Sequence, residues 1–382
     1  MTDGSMVLIT SKPNKTTKFF YKVCLIVYFI GFPDFWIEGL KLPKNFIRIF
    51  SRLNVINNSL IWLLLFFEIG AFYTQDKLNK NQRLNLFVYT ISKLIGSVYV
   101  FILKHYREKV TNVLENLTIG LKAIYNDPVV ERQMIKKSVR YLIAVTCNCL
   151  MAMSMISVKA YMETVRNNVP FTTIVTAYPD VYDDSKLANV VRIISNIIWW
   201  IYLSRILGTY ILVTPLASGL SHQYINLRSY FYSLNQISER QDLSQEEREE
   251  LYEKQFKLGI KMHLETLRCT RLIHVICSGV FSGQILLNIF LLVLLMAQMV
   301  VSSRLFMWNA GDITASHLST AIYLSGWHNC RGQSSTRIRK LVGISMTFAQ
   351  TCRSEGLGYI GLSYQSYLNI VKSSYSFFSV LF

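Results

Sequence analysis

The chain has 382 residues, 51% of them hydrophobic, with a mean hydropathy of +0.29, a net charge of +17 and a pI near 9.5. That is too apolar for a soluble protein of this size, and a membrane-embedded chain is implied. The seven cysteines, Cys24, Cys147, Cys149, Cys269, Cys277, Cys330 and Cys352, show neither a zinc spacing nor a disulfide framework.

Residues 1–53 read as a cytoplasmic lead with an amphipathic piece from Pro43 to Leu53. The apolar stretch near 23–32 is short and runs into Gly-Phe-Pro-Asp rather than a small-residue cleavage site, so it does not read as a signal peptide. A bilayer crossing takes about 20 mostly apolar residues. Such stretches lie near 54–73, 84–104, 139–160, 187–215, 272–303, 305–329 and 355–382. The sixth is interrupted by Asp312 and His317. Residues 105–138 form a polar connection, helical either side of Asn126-Asp127-Pro128. Residues 161–186 form the longest outer loop. In the segment 221–271, Ser244-Gln-Glu-Glu247 has the form of a capping box, and Leu251, Gln255, Leu258 and Met262 give a helical stripe.

Lys and Arg number 8 in residues 1–53, 8 in 104–140, 8 in 221–271 and 4 in 331–340, but only 3 in 73–83 and 2 in 161–186. Rich and poor connections alternate, as the positive-inside rule requires. This predicts a cytoplasmic N-terminus, outer loops at 73–83 and 161–186, and an inner segment at 221–271. It also turns the high pI away from nucleic acid, and it is the reverse of a G-protein-coupled receptor's orientation. The sequons at Asn14, Asn57 and Asn116 then fall inside or in the membrane, where glycosylation is not expected. Charges within spans are costly, about 2.5–3.5 kcal/mol each at the bilayer centre. Glu68 and Lys93 lie on consecutive antiparallel spans and either pair or reach water separately. Arg205 reads as structural. In the final span Ser366, Asn369, Ser373 and Ser376 share one sector of the helix, opposite Tyr364, Leu368, Val371, Tyr375 and Phe378. A polar stripe on a membrane helix faces either neighbouring helices or water, so these four residues are the candidate pore lining.

The run from Gln365 to Phe382, with its Ile-Val-Lys, Ser-Tyr-Ser and closing aromatics, resembles the last helix of the insect odorant receptor family. Asn309-Ala-Gly-Asp312 followed by Ser316, Leu318, Ala321-Ile-Tyr323 and Trp327 is similar to the family's sixth-helix pattern. Arg337 to Gln350 resembles its following cytoplasmic helix, and Val169-Pro-Phe171 and Tyr178-Pro179 stand where the family has outer-loop prolines. The match is dense over 305–382 and patterned elsewhere.

The resemblance implies one all-α membrane domain over 1–382, a seven-helix bundle with 331–382 supplying a cytoplasmic anchor helix and the pore helix. Residues 272–329 are short for two family helices and their outer link, which leaves seven spans or six. It further implies an odorant-binding subunit of a cation channel, assembled as a heterotetramer with the odorant receptor co-receptor in the plasma membrane of olfactory sensory neurons. The ligand is a small volatile organic, and no cofactor is implied. The family's pocket lies in the outer half of the bundle. There, spans two to four offer Phe87, Thr90, Ile91, Met151, Ser154, Met155, Ile194, Ile198, Trp199 and Tyr202. Trp199 rather than Trp200 is chosen because it shares a face with Tyr202.

Other readings compete: the loop charges disfavour a G-protein-coupled receptor, and a transporter would show repeated halves with Gly/Pro-broken helices. A gustatory-type channel subunit is the nearest relative, and the Ser-Tyr-Ser ending argues against it. An enzyme would need a His/Asp/Glu cluster, whereas the six histidines are scattered.

Overall fold

The first helix, α1 (Lys15–Ile30), puts Phe20, Val23, Cys24 and Val27 on one buried face. Asn14 caps it by accepting from the Thr17 amide at 2.6 Å, and Gly31 closes it at φ 108°, a left-handed conformation open to glycine. The computed structural model describes residues 14–78 and 80–299, together with the dipeptides 355–356 and 360–361. Beyond α1 the order is α2 (Lys44–Thr74), α3 (Lys80–His105), α4 (Arg107–Glu115), one π-helical turn (Asn116–Gly120), α5 (Leu121–Ile124), α6 (Pro128–Asn167), α7 (Lys186–Ser233), α8 (Asn235–Ser238) and α9 (Gln245–Met299). A pair of two-residue antiparallel strands, Glu355–Gly356 and Ile360–Gly361, is the only β-structure among the described residues. The architecture is all-α. Four helices among the described residues are long and apolar enough to cross a membrane: Lys44–Thr74, Gln82–His105, Pro128–Arg166 and Lys186–Ser238. They contain the first four expected spans.

The structure departs from the sequence reading in four places. The piece Pro43 to Leu53 is no separate surface helix, because α2 runs unbroken from Lys44 into the first span. The segment 221–271 is no independent element either. Its first part continues α7 and its last part opens α9, which runs into the stretch expected as the fifth span. At about 1.5 Å per residue these helices are roughly 72 and 82 Å long, far beyond the ~30 Å that a membrane needs. Third, the buried stripe of α9 is Tyr252, Phe256, Met262 and Cys269, with Leu251, Gln255 and Leu258 only half-buried. Met262 is common to both stripes, and Tyr252 and Phe256 turn the rest of the face toward Phe231 of α7. Fourth, residues 355–356 and 360–361, placed in the last span, instead supply the paired strands, and Gly356 and Gly361 are poor helix formers.

Other local signals act as read. Asp127 caps α6 ahead of Pro128, accepting from the amides of Val129 at 2.8 Å and Val130 at 3.4 Å. The box at α9 is reciprocal, with the Ser244 amide 2.9 Å from the Glu247 carboxylate and the Glu247 amide 3.3 Å from the Ser244 hydroxyl.

The largest core begins at one end of the spans, with Leu103, Ile211, Leu212 and Ile276, and extends beyond them. It joins α1, α4, the far half of α7 and α9 through residues such as Phe20, Phe35, Leu114, Leu216, Phe231 and Phe256. Buried polar links lock it together. Glu131 of α6 accepts from the amide and hydroxyl of Thr16 at 2.8 and 2.9 Å, and Asn226 of α7 bridges the Asp127 amide and the Tyr125 carbonyl at 2.8 and 2.9 Å. The apolar stretch of α6 is by contrast only 6% buried. Water drives the first arrangement and lipid permits the second, since lipid tails are as apolar as the side chains they touch.

Candidate functional site

The C-terminal ends of α2 and α6 and the N-terminal ends of α3 and α7 are closed by the loop 168–185. Asn168 ends α6 at φ 51°, and Ser185 begins α7 by accepting from the Ala188 amide at 3.2 Å. Between them the loop is stitched to α2. Gln75, almost fully buried, donates to the carbonyls of Thr176 at 3.0 Å and Pro179 at 3.1 Å, and the Ala177 amide donates to Phe67 at 2.8 Å. Arg192 of α7, 5% exposed, binds it from the other side through the carbonyls of Asp180 and Asp183, both at 2.7 Å. Its apolar side chains point inward. Ile174 packs with Ile198, Trp199 and Tyr202, and Val175 and Val181 pack with Ala71 and Leu86.

Under this loop lies a cavity of about 120 Å³. Gln82, Asn85, Leu86 and Tyr89 of α3 form one wall, Ala160 and Glu163 of α6 another, and Thr172, Thr173 and Tyr182 belong to the loop. For scale, an apolar cavity of about 150 Å³ takes benzene. The lining joins Leu86, Val175 and the rings of Tyr89 and Tyr182 to several amides and hydroxyls and the Glu163 carboxylate, so it is smaller and more polar than a typical small-molecule site.

Tyr89 connects the cavity to the interior. Its ring meets Trp199 edge-on at 6.0 Å. One turn on, the Tyr202 hydroxyl donates to the carbonyls of Lys93 at 2.9 Å and Ser92 at 3.2 Å. This close approach of α3 and α7 needs Gly96, since a Cβ there would overlap the Tyr202 hydroxyl and Ile206. The Lys93 ammonium lies 6.0 Å from the Tyr202 ring centre and forms an ion pair with Glu68. The pair is fully buried, with side-chain exposures of 2% and 0%. Of the two arrangements open in the sequence, the two charges meet each other. The second Glu68 oxygen has no hydrogen-bond partner among the described residues. Nearer the other end of α2, Arg205 donates to Asn58 and, at 2.8 Å, to Asn54, whose amide reaches the Gly31 carbonyl at 2.9 Å. Arg205 thus ties α7 to α2 and the end of α1.

The ten expected ligand residues divide by face. Thr90, Ile198, Trp199 and Tyr202 are buried between helices, and Ile91 is half-buried. The Thr90 hydroxyl is taken up by its own helix, 2.8 Å from the Leu86 carbonyl. Phe87, Met151, Ser154, Met155 and Ile194 are exposed on the outside of the bundle. Trp200, on a different face from Trp199, donates to Ser157 at 3.3 Å. None of the ten lines the cavity, whose Tyr89 adjoins the buried group through Trp199. Sequence reasoning missed Gln82, Asn85, Tyr89, Glu163 and the loop residues. Tyr89 was within reach, being three residues from Leu86 on one helix face. The loop's fold carries no periodicity to read. Ser366, Asn369, Ser373 and Ser376 lie outside the described residues.

No family model and no curated protein matches the chain. Solved structures do. The insect olfactory receptor OR5 from Machilis hrabei aligns over 95% of this chain and 97% of its own, with a TM-score of 0.66 at 12% identity. The same receptor in complex with eugenol aligns over the same shares with a TM-score of 0.68. The fold is that of an insect olfactory receptor. At such low identity the shared property is the path of the helices, which different side chains specify in the two proteins. The likeness covers nearly the full length of each and is consistent with the membrane-capable helices found above.

Proposed function

We propose that the chain is an odorant-binding subunit of a ligand-gated cation channel. It works as a heteromer with the odorant receptor co-receptor in the plasma membrane of olfactory sensory neurons, with its N-terminus in the cytoplasm. The observation that carries this reading is the end-to-end likeness to an olfactory receptor that has been solved with a small aromatic molecule, eugenol. The outer cavity supports it. A small volatile ligand enters beneath the loop 168–185 and is held against Tyr89. Its presence is felt by the buried group Thr90, Ile198, Trp199 and Tyr202 through the Tyr89–Trp199 contact. Ile91 and the outward-facing Phe87, Met151, Ser154, Met155 and Ile194 form an apolar approach from the bilayer. Ser366, Asn369, Ser373 and Ser376 line the ion path.

The test is co-expression with the co-receptor and current recording over an odorant panel. Odorant-evoked current is expected. Its absence from heteromers demonstrated at the cell surface sinks the functional reading. Tyr89→Ala, Tyr202→Ala and Met155→Ala should reorder the ligand ranking at equal surface level, and an unchanged ranking removes the site. Cysteines at 366, 369, 373 and 376 should react with water-soluble thiol reagents and block current. Equal reactivity at 364, 368 and 375 would count against the pore stripe. An N-terminal tag stained without permeabilisation would reverse the orientation.

A further inference from the structure

The first turns of α2 stand on the surface just before the first span. Lys44, Arg48 and Arg52 follow one another at i, i+4 and i+8, so they form a single stripe about 6 Å apart per turn. All three are exposed. The four ion pairs among the described residues involve other groups. The first turn of α2 also has no acidic residue and no side-chain cap, so its amide groups add to the positive field. On the opposite face Phe46 and Phe50 stack at 5.8 Å and receive Phe29 from the end of α1 at 5.8 and 6.1 Å. Phe29 and Phe46 remain 47% and 37% exposed, an unusual position for phenylalanine beside water.

The exposed face of α1 shows the same polarity. It reads Lys15, Lys18, Lys22, Ile26, Phe29 at helical spacing, basic at one end and apolar where it meets α2. Both helices therefore present apolar surface next to the span and cations beside or beyond it. That is the profile of a protein surface lying in the headgroup layer of a bilayer.

We propose that the basic stripe is a site for anionic phospholipid headgroups, held by Lys44, Arg48 and Arg52, while Phe29, Phe46 and Phe50 anchor the opposite face of the helix in the same layer. Charge complementarity selects the occupant: a zwitterionic headgroup gains little from three unpaired cations, and an anionic one gains from each. A basic residue near an anionic membrane surface contributes roughly a fivefold preference at low salt. The inference rests on α2 entering the membrane at this point, and it is independent of ligand, pore and orientation.

The experiment uses the full-length receptor in symmetric phosphatidylcholine bilayers, probed with spin-labelled phosphatidylserine and phosphatidylcholine. Wild type should retain phosphatidylserine in its motionally restricted shell several-fold over phosphatidylcholine, and high salt should weaken the preference. The variant K44Q/R48Q/R52Q should bring the ratio close to one. The charge-preserving K44R/R48K/R52K and the distant control K254Q/K257Q/K261Q should keep it. A wild-type ratio near one overturns the proposal, as does a ratio that survives in the glutamine variant or falls equally in the control. The salt titration on wild type decides the matter even if the glutamine variant does not fold. Because no odorant is used, failure here is distinct from failure of the receptor reading.

Discussion

Removing one partner of the Glu68–Lys93 pair should destabilise the protein sharply, while removing both should not. The two side chains are 0% and 2% exposed, so neither survivor can turn to water. An orphaned carboxyl escapes by taking up a proton, which at pH 7 costs about 3.7 kcal/mol from an ordinary 4.3. An orphaned ammonium escapes by losing one, at about 4.6 kcal/mol from 10.4. The Tyr202 ring at 6.0 Å from Lys93 favours only the charged ammonium, so it does not lower this cost. Lys93→Met and Glu68→Leu should therefore each cost about 3–5 kcal/mol, in line with other broken buried pairs. The double variant keeps the volume and leaves no charge, so it should lie within about 1 kcal/mol of wild type. The assay is the rate of irreversible thermal unfolding of the purified protein, the operational measure of stability where refolding fails. Each single variant should inactivate on the order of a hundredfold faster, and the double variant should return close to wild type. If the double variant is as unstable as the sum of the singles, the pair is not a coupled unit and the argument fails.

Three further outcomes are expected. Gly96→Ala should cost about 1–3 kcal/mol by forcing α3 from the Tyr202 hydroxyl and Ile206, and Tyr202→Phe in the same chain should recover part of it; thermal inactivation of the two variants decides, and equal loss in both would show that the hydroxyl is not the obstacle. His263 of α9, 3% exposed and with its Nε2 unpartnered among the described residues, is held by burial down to about 4, so it folds neutral. Its contribution is complete above the ordinary 6.5 and is lost as pH falls toward 4, up to about 3 kcal/mol, so His263→Leu should inactivate less steeply than wild type between pH 7 and 5. Ser244 lowers the Glu247 carboxyl below its ordinary value through its amide and then its hydroxyl, so the box holds above that range and is lost as pH falls through the lowered value. Ser244→Ala should speed hydrogen exchange in the first turn of α9 at neutral pH and leave the distant α1 unaffected.

Much of the fold is written in local chemistry. Apolar runs of about 20 residues marked the first four spans because a bilayer admits few alternatives to a helix. Asp127-Pro128 and Ser244-x-x-Glu247 marked two helix starts because unsatisfied amides need nearby oxygens. These signals depend on residues three or four apart. What lay further apart in the chain was settled only by the tertiary structure. The sequence left Glu68 and Lys93 to pair or to reach water separately, and the packing of α2 against α3 decided it. The face of α9 could not be fixed from Leu251 to Met262 alone, because an apolar pattern next to charged residues is compatible with two rotations until α7 supplies Phe231. The same holds for the site. Tyr202 and Trp199 announce an inward face by their spacing, yet the cavity belongs to Tyr89, Asn85 and a loop that has no repeat of any kind. Its position depends on Gln75 and Arg192, which reach loop carbonyls about 100 residues downstream and 9–12 residues upstream. Helix identity is a property of neighbours along the chain; a cavity is a property of neighbours in space, and only the packed chain contains them.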